Sequence, residues 1–273
     1  MHQLIGALFF IFGAIVGSFL NVVILRYNTG RKVTGRSACA TCGRTLKWHE
    51  LVPIVSFLAQ RGRCTTCGSR ISWQYPLVEF LTGVLFLGIF LKFLVPLQFF
   101  PYFILHASYL MIVVSLLVII AVYDLRHKII PDPFVFAFIA LAGLWGAGEY
   151  LTGTLTTPLF WLLAGPILAL PFAVLWVLSR GKWMGLGDAK LVWGAGWLLG
   201  LMPGVNALLL AFWSGAIISI AVLIAHSATG QRRLSQHSRQ FTMKSEIPFA
   251  PFIILGVLVV LFFGFDVRVF LNL

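Results

Sequence analysis

Residues 102–132 read YFILHASYLMIVVSLLVIIAVYDLRHKIIPD. The run from Tyr102 to Tyr123 carries no Asp, Glu, Lys or Arg. As a helix it would extend about 33 Å, enough to cross a hydrocarbon core of about 30 Å. It stops at Asp124, and Arg126, His127 and Lys128 follow at once. That border is what a span leaving the bilayer should show. Similar apolar runs lie outward on both sides, at about 4–25, 76–95, 133–149, 158–179, 189–202, 205–225 and 249–265. Turn signals separate them, among them Val95-Pro96, Pro131-Asp132-Pro133, Thr157-Pro158 and Pro203-Gly204. The run at 189–202 is short and rich in glycine, so a partial or tilted span is expected there. The chain is 60% hydrophobic and 10% charged, against about 25% charged in a soluble globule. The expected fold is all-α: a polytopic helical membrane protein with about eight transmembrane helices plus a small module in the loop 26–75.

The net charge of +12 would suggest nucleic acid in a soluble chain, but its distribution reports topology instead. Nine basic residues fall between Arg26 and Arg70, and others group at Arg126 and Lys128, at Arg180, Lys182 and Lys190, and at Arg232, Arg233, Arg239 and Lys244. If the spans alternate in direction, all of these share one side, which the positive-inside rule makes cytoplasmic. Only Lys92 and Arg268 fall elsewhere. The first run lacks a basic leader and precedes the densest basic loop, so it is expected to stay in the membrane with its N-terminus outside. Residues 226–247 read as a basic internal loop.

All four cysteines lie in the loop 26–75, as Cys39-Ala-Thr-Cys42-Gly43 and Cys64-Thr-Thr-Cys67-Gly68, with 21 residues between the pairs. Each CxxC lets two thiolates reach one ion, and the following glycine permits a turn that aims backbone N–H groups at sulfur. Two such knuckles supply the four soft ligands of a structural zinc site. Four thiolates also suit iron, and two disulfides are the rival reading, disfavoured in a reducing cytoplasm. Four protein ligands leave no open position, so the metal is expected to fold the loop and not to catalyse.

Carboxylates are scarce: Glu50, Glu79, Asp124, Asp132, Glu149, Asp188, Glu246 and Asp266. Asp124 closes the span quoted above, where a helix C-terminus opposes its charge. Asp188 opens the sixth span in Gly185-Leu186-Gly187-Asp188-Ala189-Lys190-Leu191. The charge pattern puts both at one membrane face although they are 64 positions apart. Intramembrane ionisable groups are functional by default, which makes the two a candidate pair. Asp132 before Pro133 reads as a helix N-cap, and Asp188 has the same bland alternative. Other chemistries fail on spacing. His49-Glu50 would need histidine at Pro53 for a zinc-protease helix, and the glycines at 181–187 do not follow P-loop order. Ser18 reads as a small packing residue.

Taken together, these motifs resemble the type IV prepilin peptidases, membrane aspartyl proteases of the GxGD class. The resemblance rests on Gly17-Ser18-Phe19-Leu20-Asn21 through Arg26, the paired CxxC knuckles and Tyr75-Pro76-Leu77-Val78-Glu79. It continues through Asp124 to Asp132, Gly185 to Leu191, and Ile247-Pro248-Phe249-Ala250-Pro251-Phe252. Family members often have glycine where this chain has Ala250. The resemblance implies that Asp124 and Asp188 are catalytic, with Gly185, Gly187, Lys190 and Glu79 as supporting candidates. Gly185 and Gly187 are expected to allow close substrate approach and unusual dihedrals. It implies removal of the short basic leader of prepilins or pseudopilins, and N-methylation of the new terminus from S-adenosylmethionine, for which no donor motif is readable. The expected divisions are a first transmembrane helix (1–25), a cytoplasmic four-cysteine zinc-binding domain (26–75) and a protease core (76–273), in a bacterial inner membrane. Membrane lipid is an expected partner and nucleic acid is not. Composition alone leaves a competing class, a transporter or assembly scaffold whose aspartates bind cations.

Overall fold

The computed structural model describes residues 2–30, 32–93, 100–228 and 248–267. Arg31, most of the 226–247 loop with its four basic residues and Glu246, and Arg268 lie outside the described residues. The helices in chain order are α1 (His2–Arg26), α2 (Val55–Ala59), α3 (Gln74–Lys92), α4 (Phe100–His127), α5 (Asp132–Leu151), α6 (Pro158–Ser179), α7 (Leu186–Leu199), α8 (Leu201–Ala228) and α9 (Ala250–Phe263). A 3-10 turn at Trp48–Leu51 precedes α2. Every expected span coincides with one of these helices. Six of them are long and apolar enough to cross a membrane, and the chain is a multi-pass membrane protein. The remaining two, α7 and α9, have 14 residues each and reach only about 21 Å. The run at 249–265 therefore makes a shorter helix than its length suggested, because Pro251 fixes its start and Gly264, at φ 62°, ends it.

The chain forms two compact units, residues 1–119 and 120–273. In the first, α1 packs along α3. Glycines make the approach close. A Cβ at Gly13 would stand 2.7 Å from the Thr82 carbonyl oxygen, and one at Gly17 2.8 Å from Glu79 Cα. Gly13 and Gly17 are four apart, the small-residue spacing that lets membrane helices touch backbone to backbone. Fully buried Asn21 fixes the register at the same end. Its amide donates to the Tyr75 carbonyl (3.2 Å), and its oxygen accepts from Gln74 Nε2 (3.2 Å).

In the second unit α7 is the hub, in contact with α5, α6, α8 and α9. So short a helix can have four neighbours only if its surface is small. A Cβ at Gly194 would meet the Phe138 ring at 2.6 Å, and one at Gly196 would meet Gly165 Cα at 2.7 Å and the Ala164 carbonyl at 2.8 Å. Indole hydrogen bonds pin the same seam: Trp161 Nε1 donates to the Trp197 carbonyl (2.9 Å), and Trp197 Nε1 donates to that of Leu162 (3.0 Å). Helix α7 also carries Asp188 in its first turn, so this packing positions the carboxylate.

Candidate active site and metal centre

Asp124 sits one turn from the end of α4, where its backbone carbonyl accepts from Lys128 N (2.7 Å). A carboxylate at a helix C-terminus needs a compensating partner, and α9 provides it. The N–H of Ala250, the first residue of α9, donates to the Asp124 side chain. The positive end of α9 thus offsets the negative end of α4. Ala250 itself is fully buried, so alanine fits where glycine is common. The local sequence of 247–252 assigns it no such role; Pro248 and Pro251, which bracket the start of α9, are the available signal.

Asp188 is the third residue of α7, and Gly185 occupies the N-cap position, so Asp188 is not an N-cap. In the first turn its charge faces the favourable end of the helix. Both aspartates are buried, at 5% and 9% exposure, and Asp124 is near enough for its charge to be felt at Asp188. The fold therefore gathers the two carboxyls that the sequence keeps 64 positions apart.

The supporting candidates divide. Neither Gly185 nor Gly187 has a positive φ, so the expected unusual dihedrals are absent. Gly187 is required by packing instead: a Cβ there would come within 2.8 Å of Ile130 Cβ, in the segment that follows Asp124. At Gly185 a Cβ would clash with nothing and would stand in ordinary contact with Gly187 N (3.9 Å) and Asp188 Oδ2 (4.0 Å). Lys190 pairs with Asp132 at 2.7 Å and lies 4.8 Å above the Phe136 ring. Asp132 is not the N-cap of α5 either. Pro131 takes that position, and Asp132 is the first helical residue with its carboxylate turned to Lys190. Asp132→Asn is expected to lower activity less than tenfold, as befits a half-exposed pair; an initial-rate comparison checks this.

Glu79 is buried in the first unit, where it accepts from Ile54 N (2.7 Å) and lies against α1 at Gly17.

The cysteines form two copies of one knuckle. Gly43 N donates to the Cys39 carbonyl and Gly68 N to that of Cys64, both at 2.9 Å. Gly43 and Gly68 take φ of 72° and 69°, the left-handed conformation that a tight turn demands. The amides of Cys42 and Thr41 point at Cys39 sulfur and pull its thiol down to about 5; those of Cys67 and Thr66 lower Cys64 in the same way. Cys42 behaves oppositely: the Arg44 amide favours its thiolate, but the Cys39 and Cys67 thiols beside it hold it up at about 11. Like-charged thiolates this close are stable together only around a cation.

The four sulfurs lie within 4.8 Å of one another, with Cys39 and Cys67 3.8 Å apart. A tetrahedral ion with bonds of about 2.3 Å requires sulfurs about 3.8 Å apart. The donor set fits. Ser69 Oγ, 3.1 Å from Cys67 sulfur and 3.7 Å from Cys39 sulfur, supports two of the ligands from outside.

Glu50 ties one knuckle to the other. It accepts from Arg44 Nη2 (2.7 Å) and Lys47 N (2.8 Å) beside the first, and from Thr65 Oγ1 (2.8 Å) in the second. Arg44, with Lys47 N and Thr65, holds the Glu50 carboxyl at about 2, well below its ordinary value. A depressed carboxylate stabilises the fold above pH 4.5, and that contribution fades as pH falls toward 2. Glu50→Gln is expected to speed metal release to a chelator several-fold at pH 7, because the Arg44 charge loses its partner. Release followed with a colorimetric chelator checks it, and an unchanged rate would count against the tie.

The A24 N-terminal domain of bacterial peptidases matches residues 11–93, and the type IV leader peptidase family model matches residues 111–220. A prepilin leader peptidase/N-methyltransferase of Bacillus subtilis is 32% identical over 94% of both chains. The chain belongs to the type IV leader peptidase family. Among other members, a protein of the same name from Myxococcus xanthus is 35% identical over 82% of this chain and 64% of its own length. One from Xanthomonas campestris is 29% identical over 93% and 90%. No solved structure matches the chain. Family membership gives the leader peptidase motifs their physical context: Gly17 to Asn21 meets Tyr75 to Glu79 across the α1–α3 contact, and the end of α4, the start of α7 and the start of α9 meet around Asp124.

Proposed function

We propose that this leader peptidase homologue is an aspartyl endopeptidase that removes the short basic leader of prepilins or pseudopilins, with Asp124 and Asp188 as its catalytic pair. The observation that carries this reading is the convergence of two buried carboxyls, one from the end of α4 and one from the start of α7, in a chain with only eight acids. Two adjacent carboxyls ionise together only at high cost, so they hold one proton between them. The ionised member takes a proton from water as that water attacks the scissile carbonyl. The neutral member donates a hydrogen bond to the developing oxyanion and then protonates the leaving amine. The Ala250 N–H is a fixed donor to Asp124 and biases which member carries the charge.

The clustering of basic residues in alternate loops supports a reading in which both aspartates and the knuckles face the cytoplasm of a bacterial inner membrane, with the N-terminus outside. The transmembrane part of the client approaches laterally while its basic leader stays in the cytoplasm. Zinc is the metal of the four-cysteine site, held by Cys39, Cys42, Cys64 and Cys67, and its contribution is to fold the loop. Metal analysis of purified protein is expected to give about one zinc per chain, the content of a single closed site; recovery of two disulfides would refute it. The enzyme further N-methylates the exposed residue from S-adenosylmethionine, as the names of its relatives suggest. Incubation with a prepilin, S-adenosylmethionine and mass measurement tests both steps: cleavage removes the leader mass, and methylation adds one methyl increment. A cation-binding scaffold would leave the client mass unchanged.

A further inference from the structure

The loop between α1 and α3 contains a backbone conformation that water would not require. Ile54 has φ 63° and ψ −52°, and Val55 N donates to the Pro53 carbonyl at 2.6 Å. This is a γ-turn of the rare positive-φ form, strained for a β-branched residue. The strained amide of Ile54 donates to Glu79 Oε2 at 2.7 Å. Pro53 has no N–H, Ser56 N donates to Val52 (3.0 Å), and Leu58 N donates to Ile54 (3.2 Å). These amides of the turn are therefore satisfied without solvent, the condition for irregular backbone at membrane depth.

The partner carboxylate sets that depth. Glu79 lies five residues beyond the start of α3 at Gln74, about 7 Å along the helix. Gly17, which packs against Glu79 from α1, lies nine residues before the end of that helix at Arg26, about 14 Å along it. The headgroup layer on one side of a bilayer is about 5–8 Å thick, so the Pro53-Ile54 turn reaches the hydrocarbon boundary. Around it the surface is apolar: Leu51, Val52, Val55 and Leu58 are exposed, the last two at 60% and 63%. Trp48 is 80% exposed, and Trp73, next to α3, is 66% exposed with its ring 4.8 Å from that of buried Phe57. Indoles flanking aliphatic side chains suit a membrane–water interface. Lys47, Arg61 and Arg63 flank the segment and are exposed, while Glu50, the loop's one acid, is committed to Arg44.

We propose that residues 48–58 form a re-entrant wedge seated in an anionic phospholipid surface, with Leu51, Val52, Val55 and Leu58 against acyl chains and the flanking basic residues at headgroup phosphates. Charge selects this occupant over a client leader, since a basic leader and nine basic residues in 26–75 repel. The inference rests on the membrane spans and the Glu79 contact, and is independent of the aspartate pair. Glu79 then acts as a positioning residue that holds the wedge at its depth.

The test places a diazirine amino acid at Val55 or Leu58 in the full chain, in vesicles of phosphatidylethanolamine and phosphatidylglycerol. Leu77, exposed on α3, is the lipid-facing reference and Thr66 at a knuckle tip the aqueous one. Illumination is expected to give phospholipid adducts at 55 and 58 in yield matching Leu77, and none at Thr66. Yields at 55 and 58 that match Thr66 overturn the proposal. So does a switch of those adducts from lipid to an added prepilin, which would make the surface a client dock. Hydrogen exchange on the unsubstituted protein in the same vesicles is a second reading. Amides 54–58 are expected to exchange more slowly than in detergent while 64–70 do not change; an unchanged rate at 54–58 overturns it.

Discussion

Replacing Asp124 or Asp188 with asparagine is expected to lower leader cleavage by at least about a thousandfold, the upper part of the range for a lost acid or base. Asparagine preserves shape and still offers an oxygen to the Ala250 amide, but it can neither ionise nor carry the shared proton. Each carboxyl has a distinct duty in the cycle, so either substitution stops it and the double variant falls no further. The proteins themselves should be produced normally. Replacing a buried, partly compensated charge by a neutral amide removes a desolvation cost, so membrane content and thermal stability are expected to match or exceed the parent. Unequal losses would be informative. If Asp188→Asn were silent while Asp124→Asn was inactive, one carboxyl would be acting alone with another group.

The largest effect on stability is expected at Gly196. Valine there would drive its Cβ into the backbone of Ala164 and Gly165 on α6, at 2.7–2.8 Å. No rotamer change relieves contact with backbone, so α6 and α7 must separate. Overpacking costs about 1–3 kcal/mol where side chains can adjust, and rigid backbone puts Gly196→Val at or beyond the upper figure. The Trp161–Trp197 and Trp197–Leu162 hydrogen bonds would be strained with it. Because α7 carries Asp188, activity should fall with stability, even though the substitution is about two turns from the carboxylate. Gly185→Ala is the contrasting case. A Cβ there meets Gly187 N and Asp188 Oδ2 only at 3.9–4.0 Å, so stability should be unchanged, and a rise in KM without loss of folded protein would mark Gly185 as a point of client approach. Thermal unfolding in detergent, followed by tryptophan fluorescence, separates the two outcomes.

The span pattern was legible because twenty-residue apolar runs have few physical interpretations, and the helices fall where the runs do. The knuckles were equally legible, since CxxCG spacing by itself dictates the turn and the ligand geometry. What the sequence could not disclose lies in contacts across long separations. Pairing of Asp132 with Lys190 is such a contact, and local pattern alone pointed to an N-cap. The α9 amide at Asp124 depends on tertiary packing across 126 residues, although the misplaced charge had already signalled that a partner was needed. Gly187 suggests backbone freedom in the sequence, whereas in the fold it makes room for Ile130, a distinction that only the neighbour decides. The Ile54 turn leaves almost no trace, because an isoleucine at positive φ is what propensity argues against.

The most direct test of the central claim is the intact mass of a prepilin incubated in lipid vesicles with the purified protein or with its Asp124→Asn and Asp188→Asn forms. The account predicts that the parent converts the client to a species lighter by the leader, and that both variants leave it at full mass. Substantial conversion by either folded variant would contradict it.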